Sequence, residues 1–178
     1  VTIPERAGAF RTFCSAIGKR NITEFNYRYE MSGEARVFVG LTVTPDDEGV
    51  SALQSVLERK GYRVLDMTDN ETAKLHLRHM IGGRVSPEIA DEMVFRVEFP
   101  ERPGSLLQFL DALGNEFSIS LFHYRNHGSA FGRILVGMQV PPSKRPMLKK
   151  ALSRLGYRFW EETDNPAYRE YLGRPTTG

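Results

Sequence analysis

The sequence predicts an α+β chain made of two tandem βαββαβ units, and three observations predict it. The first is a duplication: Ile3-Pro4-Glu5-Arg6-Ala7-Gly8-Ala9-Phe10 returns as Phe99-Pro100-Glu101-Arg102-Pro103-Gly104-Ser105-Leu106, 96 positions later. The second is that period-two apolar runs alternate with helix-period runs in one order, strand, helix, strand, strand, helix, strand. The third is the repeat length, which is too long for a solenoid unit and suits a small domain.

The second copy shows the order more fully. Met93 to Phe99 alternates as a strand, and Pro103-Gly104 opens a helix with Leu106, Leu107, Phe109, Leu110 and Leu113 at helical spacing, closed by Gly114. Ile119 to Tyr124 and Arg133 to Val140 read as a hairpin around Asn126-His127-Gly128-Ser129. A second helix then turns Met147, Leu148, Ala151, Leu152 and Leu155 toward the sheet, and Tyr157 to Trp160 form the last strand. Right-handed crossovers around a central hairpin make each unit a ferredoxin-like, four-stranded antiparallel sheet with both helices on one face.

The first copy follows with small slips. Ile22 to Arg28 answers Ile119 to Arg125 at a shift of 97, and Gly61-Tyr62-Arg63 answers Gly156-Tyr157-Arg158 at 95. Its opening strand is cut to Val1-Thr2-Ile3, so we expect the natural sequence to continue upstream. Ala73 to Met80 reads as a helix stopped by Gly82-Gly83, residues 84–91 as a polar linker carrying Pro87, and Pro166 to Leu172 as a short helix packing Tyr168 and Tyr171. Asp69-Asn70 and Asp164-Asn165 read as caps of these helices. The domains are therefore 1–83 and 92–178.

Composition narrows the partners. A formal charge of +2, from 24 basic and 22 acidic residues, gives no electrostatic reason to expect nucleic acid. The aromatic-basic motif of an RNA-binding βαββαβ sheet is absent as well. No apolar run approaches the roughly 20 residues of a membrane span. One cysteine, Cys14, excludes an internal disulfide and fits a reducing compartment. The pairs His76/His79 and His123/His127 lack the further carboxylate or cysteine of a zinc site, so no metal is expected.

The chemistry gathers at the turn after the first strand. Arg6-Ala7-Gly8-Ala9-Phe10 and Arg102-Pro103-Gly104-Ser105-Leu106 put a glycine where the backbone enters a helix, which leaves amide donors and a helix dipole facing outward, suited to a carboxylate. The second strand, with Phe25, Asn26 and Tyr27 or Phe122, His123 and Tyr124, offers carbonyls, an aromatic wall and a polar edge for the rest of an amino acid. Alternation puts Tyr27 and Arg28, like Tyr124 and Arg125, on opposite faces, so both members of a pair do not enter one pocket. The plainer alternatives are a glycine that only permits a tight turn and tyrosines that only fill the core.

Phe-Pro-Glu-Arg-Pro-Gly-Ser-Leu, then Ile119-Ser-Leu-Phe-His-Tyr-Arg-Asn-His-Gly and Gly132-Arg-Ile-Leu-Val-Gly, resembles the carboxy-terminal regulatory region of biosynthetic threonine dehydratase over essentially the whole chain. The resemblance implies two ACT-like domains that bind isoleucine as feedback inhibitor and valine as activator and that control a pyridoxal-phosphate catalytic domain. It places Tyr27 and Tyr124 at the effector, makes regulatory-domain contacts a route to homo-oligomers, and locates the protein in the cytoplasm, or the plastid of a plant. That family's catalytic Ser-Phe-Lys-x-Arg stretch and glycine-rich phosphate loop do not occur here, and Lys60, Lys74, Lys149 and Lys150 read as solvated helix faces. By itself the chain is thus expected to be no enzyme and to hold no cofactor. The rival readings are an amino-acid sensor of another enzyme and a pure assembly module.

Overall fold

The structure, a computed structural model, describes residues 1–29, 33–42, 49–71, 73, 83, 85, 86, 89–126 and 131–173. The first unit contributes β1 (Thr2–Pro4), α1 (Ala9–Ile17), β2 (Ile22–Arg28), β3 (Glu34–Leu41) and α2 (Gly49–Arg59). The second contributes β4 (Glu92–Pro100), α3 (Ser105–Leu113), β5 (Ser118–Arg125), β6 (Phe131–Gln139), α4 (Arg145–Arg154) and β7 (Arg158–Glu161), followed by a short tail helix, α5 (Pro166–Tyr171). The α+β reading and the order of elements hold. The proposed helix to Met80, the hairpin loop at 127–129 and the histidines 76, 79 and 127 lie outside the described residues.

The two units share one antiparallel sheet of order β1-β3-β2-β5-β6-β4-β7. Each has the expected arrangement, with its first strand inside and its second strand at the edge. In the first unit the position of the fourth strand is held by a single bridge between Thr2 and Arg63. The seam is antiparallel pairing of β2 with β5, in the register Glu24↔Arg125, Phe25↔Tyr124, Asn26↔His123, Tyr27↔Phe122 and Arg28↔Leu121. Since Asn26 and His123 are themselves equivalent repeat positions, the register is that of a local twofold axis between them.

One core lies under the helices. Alternation sends Phe25 and Tyr27, Ala35 and Val37, Phe95 and Val97, and Phe122 and Tyr124 to the same face, where they meet Phe10, Phe13 and Ile17 of α1 and Leu106, Phe109 and Leu113 of α3. These helical positions recur every three or four residues, so each helix buries one stripe. At the seam Phe10, Phe25 and Phe122 form an aromatic cluster, with Phe122 4.8 Å from Phe10 and 5.7 Å from Phe25 between ring centres. Met147 is a correction: it is exposed while Leu148 and Leu152 are buried, because one step along the helix rotates the stripe by about 100°.

The opposite face is partly covered. Val85 and Ile89 are buried, and the Val85 amide donates to the Leu172 carbonyl at 2.8 Å, so this part of the connecting segment is docked against the tail, not solvated as its polar neighbours suggest. Asn70 caps as expected, accepting from the Ala73 amide at 2.9 Å. Tyr168 also packs as expected; the side chain of Tyr171 is outside the described set.

Candidate functional site

Two clefts straddle the seam, related by its local axis. In the first, Arg6, Gly8, Phe10 and Tyr27 of the first unit face Leu110, Leu113, Gly114, Phe117 and Ile119 of the second. In the second, Glu101 to Gly104, Leu106, Leu107 and Tyr124 face Cys14, Gly18, Arg20, Asn21 and Ile22 of the first. Each cleft is thus one unit's strand-to-helix turn closed by the end of the other unit's equivalent helix.

The turns take the conformation their glycines permit. Gly8 and Gly104 have φ of 79° and 89°, the left-handed region, and cap α1 and α3 without a side-chain hydrogen bond. The Ala9 amide donates to Arg6 O at 3.0 Å and the Ser105 amide to Arg102 O at 3.2 Å, so the first donor of each helix is already used. The amides of Phe10 and Arg11, and of Leu106 and Leu107, have no backbone acceptor among the described residues. These are the donors of a helix N-terminus that favour an anion. A Cβ at residue 8 would also stand 2.8 Å from Asn115 Oδ1, which shows how closely the second unit covers the first turn.

Of the sequence-derived site residues, Arg6, Gly8, Phe10 and Tyr27 come together in the first cleft, and Arg102, Pro103, Gly104, Leu106 and Tyr124 in the second. Ala7 is exposed on its turn, whereas Ala9 and Ser105 are buried at the first helical turn; the Ser105 hydroxyl has no hydrogen-bond partner among the described residues. Phe25 and Phe122 are seam core and line neither cleft. Asn26 and His123 face away from both clefts, on the other side of the sheet, because alternation groups them with Arg28 and not with the tyrosines. The far wall of each cleft went unread in the sequence. Its signal was the recurrence of Gly18 at Gly114 and of Ile22 at Ile119, which on one unit alone means only a helix stop and a strand start.

Tyr124 packs in the core and also reaches the wall of the second cleft. Its ring is buried 5.8 Å from Phe99, and its hydroxyl donates to Glu101 at the cleft wall. Burial, and then the Glu101 carboxylate, push its ionisation above the ordinary tyrosine range; burial and then Glu92 do the same for Tyr168. A folded-state pKa raised in this way contributes stability below the unfolded value of about 10 that is lost as pH rises past it. In an alkaline ultraviolet titration Tyr124 and Tyr168 are expected to ionise only as the protein unfolds, and Tyr124→Phe should shrink that late step. A late step of unchanged size would contradict the assignment.

The described residues hold no group of three or more His, Cys, Asp or Glu fit for a metal ion. No helix among them is long and apolar enough to cross a membrane. Lys60, Lys149 and Lys150 are exposed, Lys149 paired with Glu161 at 2.9 Å, and none lines a cleft.

Comparison with known proteins follows the duplication. A family model described as the C-terminal regulatory domain of threonine dehydratase matches residues 1–77 and 83–172. The chain is 46% identical over 172 residues to the biosynthetic L-threonine dehydratase IlvA of Burkholderia multivorans, covering 97% of this chain and 34% of that protein. It is 44% identical over 172 residues to the IlvA protein of Escherichia coli, covering 97% and 33%. With the mitochondrial threonine dehydratase of Saccharomyces cerevisiae it shares 38% over 180 residues, covering 97% and 31%. The chain therefore spans about a third of the length of the curated relatives it matches.

Proposed function

Because the chain belongs to the family of C-terminal regulatory domains of threonine dehydratase, we propose that it is the effector-sensing part of a longer enzyme of that kind. In this reading isoleucine and valine occupy the two clefts and bias a pyridoxal-phosphate catalytic domain in the same polypeptide. The observation that carries it is the make-up of the clefts, in which each helix-entry turn of one unit is closed by the other unit. The free amides and Arg6 or Arg102 suit a carboxylate, and the apolar wall suits a branched side chain. The family match sets aside a sensor of some other enzyme. The cytoplasm-or-plastid expectation widens, since the yeast relative is named mitochondrial.

Size makes the mechanism specific. The second cleft encloses about 30 Å³ and the first about 10 Å³, room for roughly two waters and one. In this reading an amino acid widens the gap between a turn and the helix end facing it, so occupancy and the packing of the two units are coupled. Typical coupling of this kind is about 1–3 kcal/mol. Isoleucine exceeds valine by one methylene, worth roughly 1–3 kcal/mol in an apolar pocket. Opposite effects on the enzyme then require that the two ligands favour different separations, not merely that one binds more tightly.

Pyridoxal phosphate belongs, in this proposal, to the catalytic region. Calorimetric titration of the 178-residue chain tests the reading. Saturable binding of isoleucine and valine, with threonine much weaker, is expected; absence of binding by a chain whose circular dichroism shows an intact fold would refute it.

A further inference from the structure

Strand β2 carries two different surfaces on adjacent residues. Tyr27 lines the first cleft, and Arg28 points to the back of the sheet, where its side chain is 3% exposed. There Arg28 Nη1 donates to Glu92 Oε1 at 2.9 Å, and Nη2 donates to Glu92 Oε2 at 3.4 Å and to the Leu172 carbonyl at 2.9 Å. Glu92, 5% exposed, also accepts from the Ser120 hydroxyl and the Tyr168 hydroxyl. The Leu172 carbonyl accepts in addition from the Val85 amide. One buried cluster therefore joins β2 of the first unit, β4 and β5 of the second, the connecting segment and the tail.

The repeat shows that this is not a requirement of the fold. Arg125, the equivalent of Arg28, lies opposite Glu24 across the seam, and only half-buried. The cluster is also not fully satisfied, because the buried Nε of Arg28 has no acceptor among the described residues. In a buried charged network each bond depends on the others, so displacement of one member is felt by the rest. Tyr27 and Arg28 share a peptide bond, so a shift of β2 that moves the cleft wall moves the guanidinium as well.

We propose that Arg28 is the positioning residue of the first cleft, and that its cluster with Glu92 and Tyr168 couples occupancy of that cleft to docking of the tail helix on the back of the sheet. The proposal rests on the reading of the clefts as amino-acid sites. By reciprocity, loosening the tail must alter affinity in the cleft by the factor by which ligand alters the tail.

Hydrogen exchange and calorimetry on the 178-residue chain, with and without saturating isoleucine or valine, test this. The amides of Arg169 and Leu172, bonded to Asn165 O at 3.0 Å and Tyr168 O at 2.8 Å, report the tail. Ligand is expected to change their exchange by about fivefold or more, the lower bound of ordinary allosteric coupling. Tyr168→Phe, which removes only the hydroxyl, is expected to speed that exchange without ligand and to change the dissociation constant by a comparable factor. Arg28→Lys, which keeps the charge but loses the fork, should act in the same direction. Binding with unchanged tail exchange, or a Tyr168→Phe tail that opens while affinity stays constant, overturns the coupling and leaves the sensor reading standing. No binding of either amino acid by an intact fold overturns both.

Discussion

Replacing Glu92 with alanine is expected to cost about 3–5 kcal/mol of folding stability, the usual penalty for removing one partner of a buried ion pair. The physical reason is what remains: the Arg28 guanidinium, 3% exposed, would keep one carbonyl acceptor, Leu172 O, and no counter-charge. Ser120 and Tyr168 would also lose their acceptor. The measurement is the urea midpoint at fixed slope. The double replacement Arg28→Met with Glu92→Leu should recover most of the loss, since a buried pair seldom exceeds a well-packed apolar substitute in net contribution. A Glu92→Ala loss below about 1 kcal/mol would show that water reaches the cluster and screens the pair.

Phe122→Ala is expected to be about as damaging, roughly 3–5 kcal/mol, for a different reason. Its ring is fully buried and meets Phe10 and Phe25, which belong to the other unit, so the cavity opens on the seam itself. The surrounding β2–β5 pairing fixes the backbone and limits collapse. Trp160→Ala offers the contrast: the ring is 37% exposed on the outer strand, 4.2 Å below the Arg96 guanidinium, and its removal should cost less than about 1 kcal/mol. Equal losses from the two replacements would mean that the seam is not the best-packed part of the molecule.

The duplicated turn and the two periodicities made the order of elements legible before any coordinates. Strand alternation also separated Tyr27 from Arg28 correctly. The same rule, applied to Asn26 and His123, assigns them to the back of the sheet; neighbourhood in sequence had grouped them with the tyrosines. What stayed hidden was mostly partnership over distance. Arg28 and Glu92 stand 64 residues apart, and no local period announces such a pair. The far walls of the clefts were hidden for the same reason, since Gly18 and Gly114 acquire a role only when the units are laid side by side. Val85 and Ile89 were a missed signal of a simpler kind, two apolar residues four apart within a segment whose Pro, Ser and Glu residues suggested exposure.

The register at the seam has a consequence for assembly. Pairing of β2 with β5 about Asn26 and His123 is the geometry of two like subunits joined edge to edge by the same strand, an isologous contact. Here the two subunits are covalently linked, so the contact forms within one molecule at an effective concentration set by the connecting segment. Dilution cannot separate the halves, and the strand each would use to pair with a second copy is already taken. Any self-association of this chain must then arise at another surface.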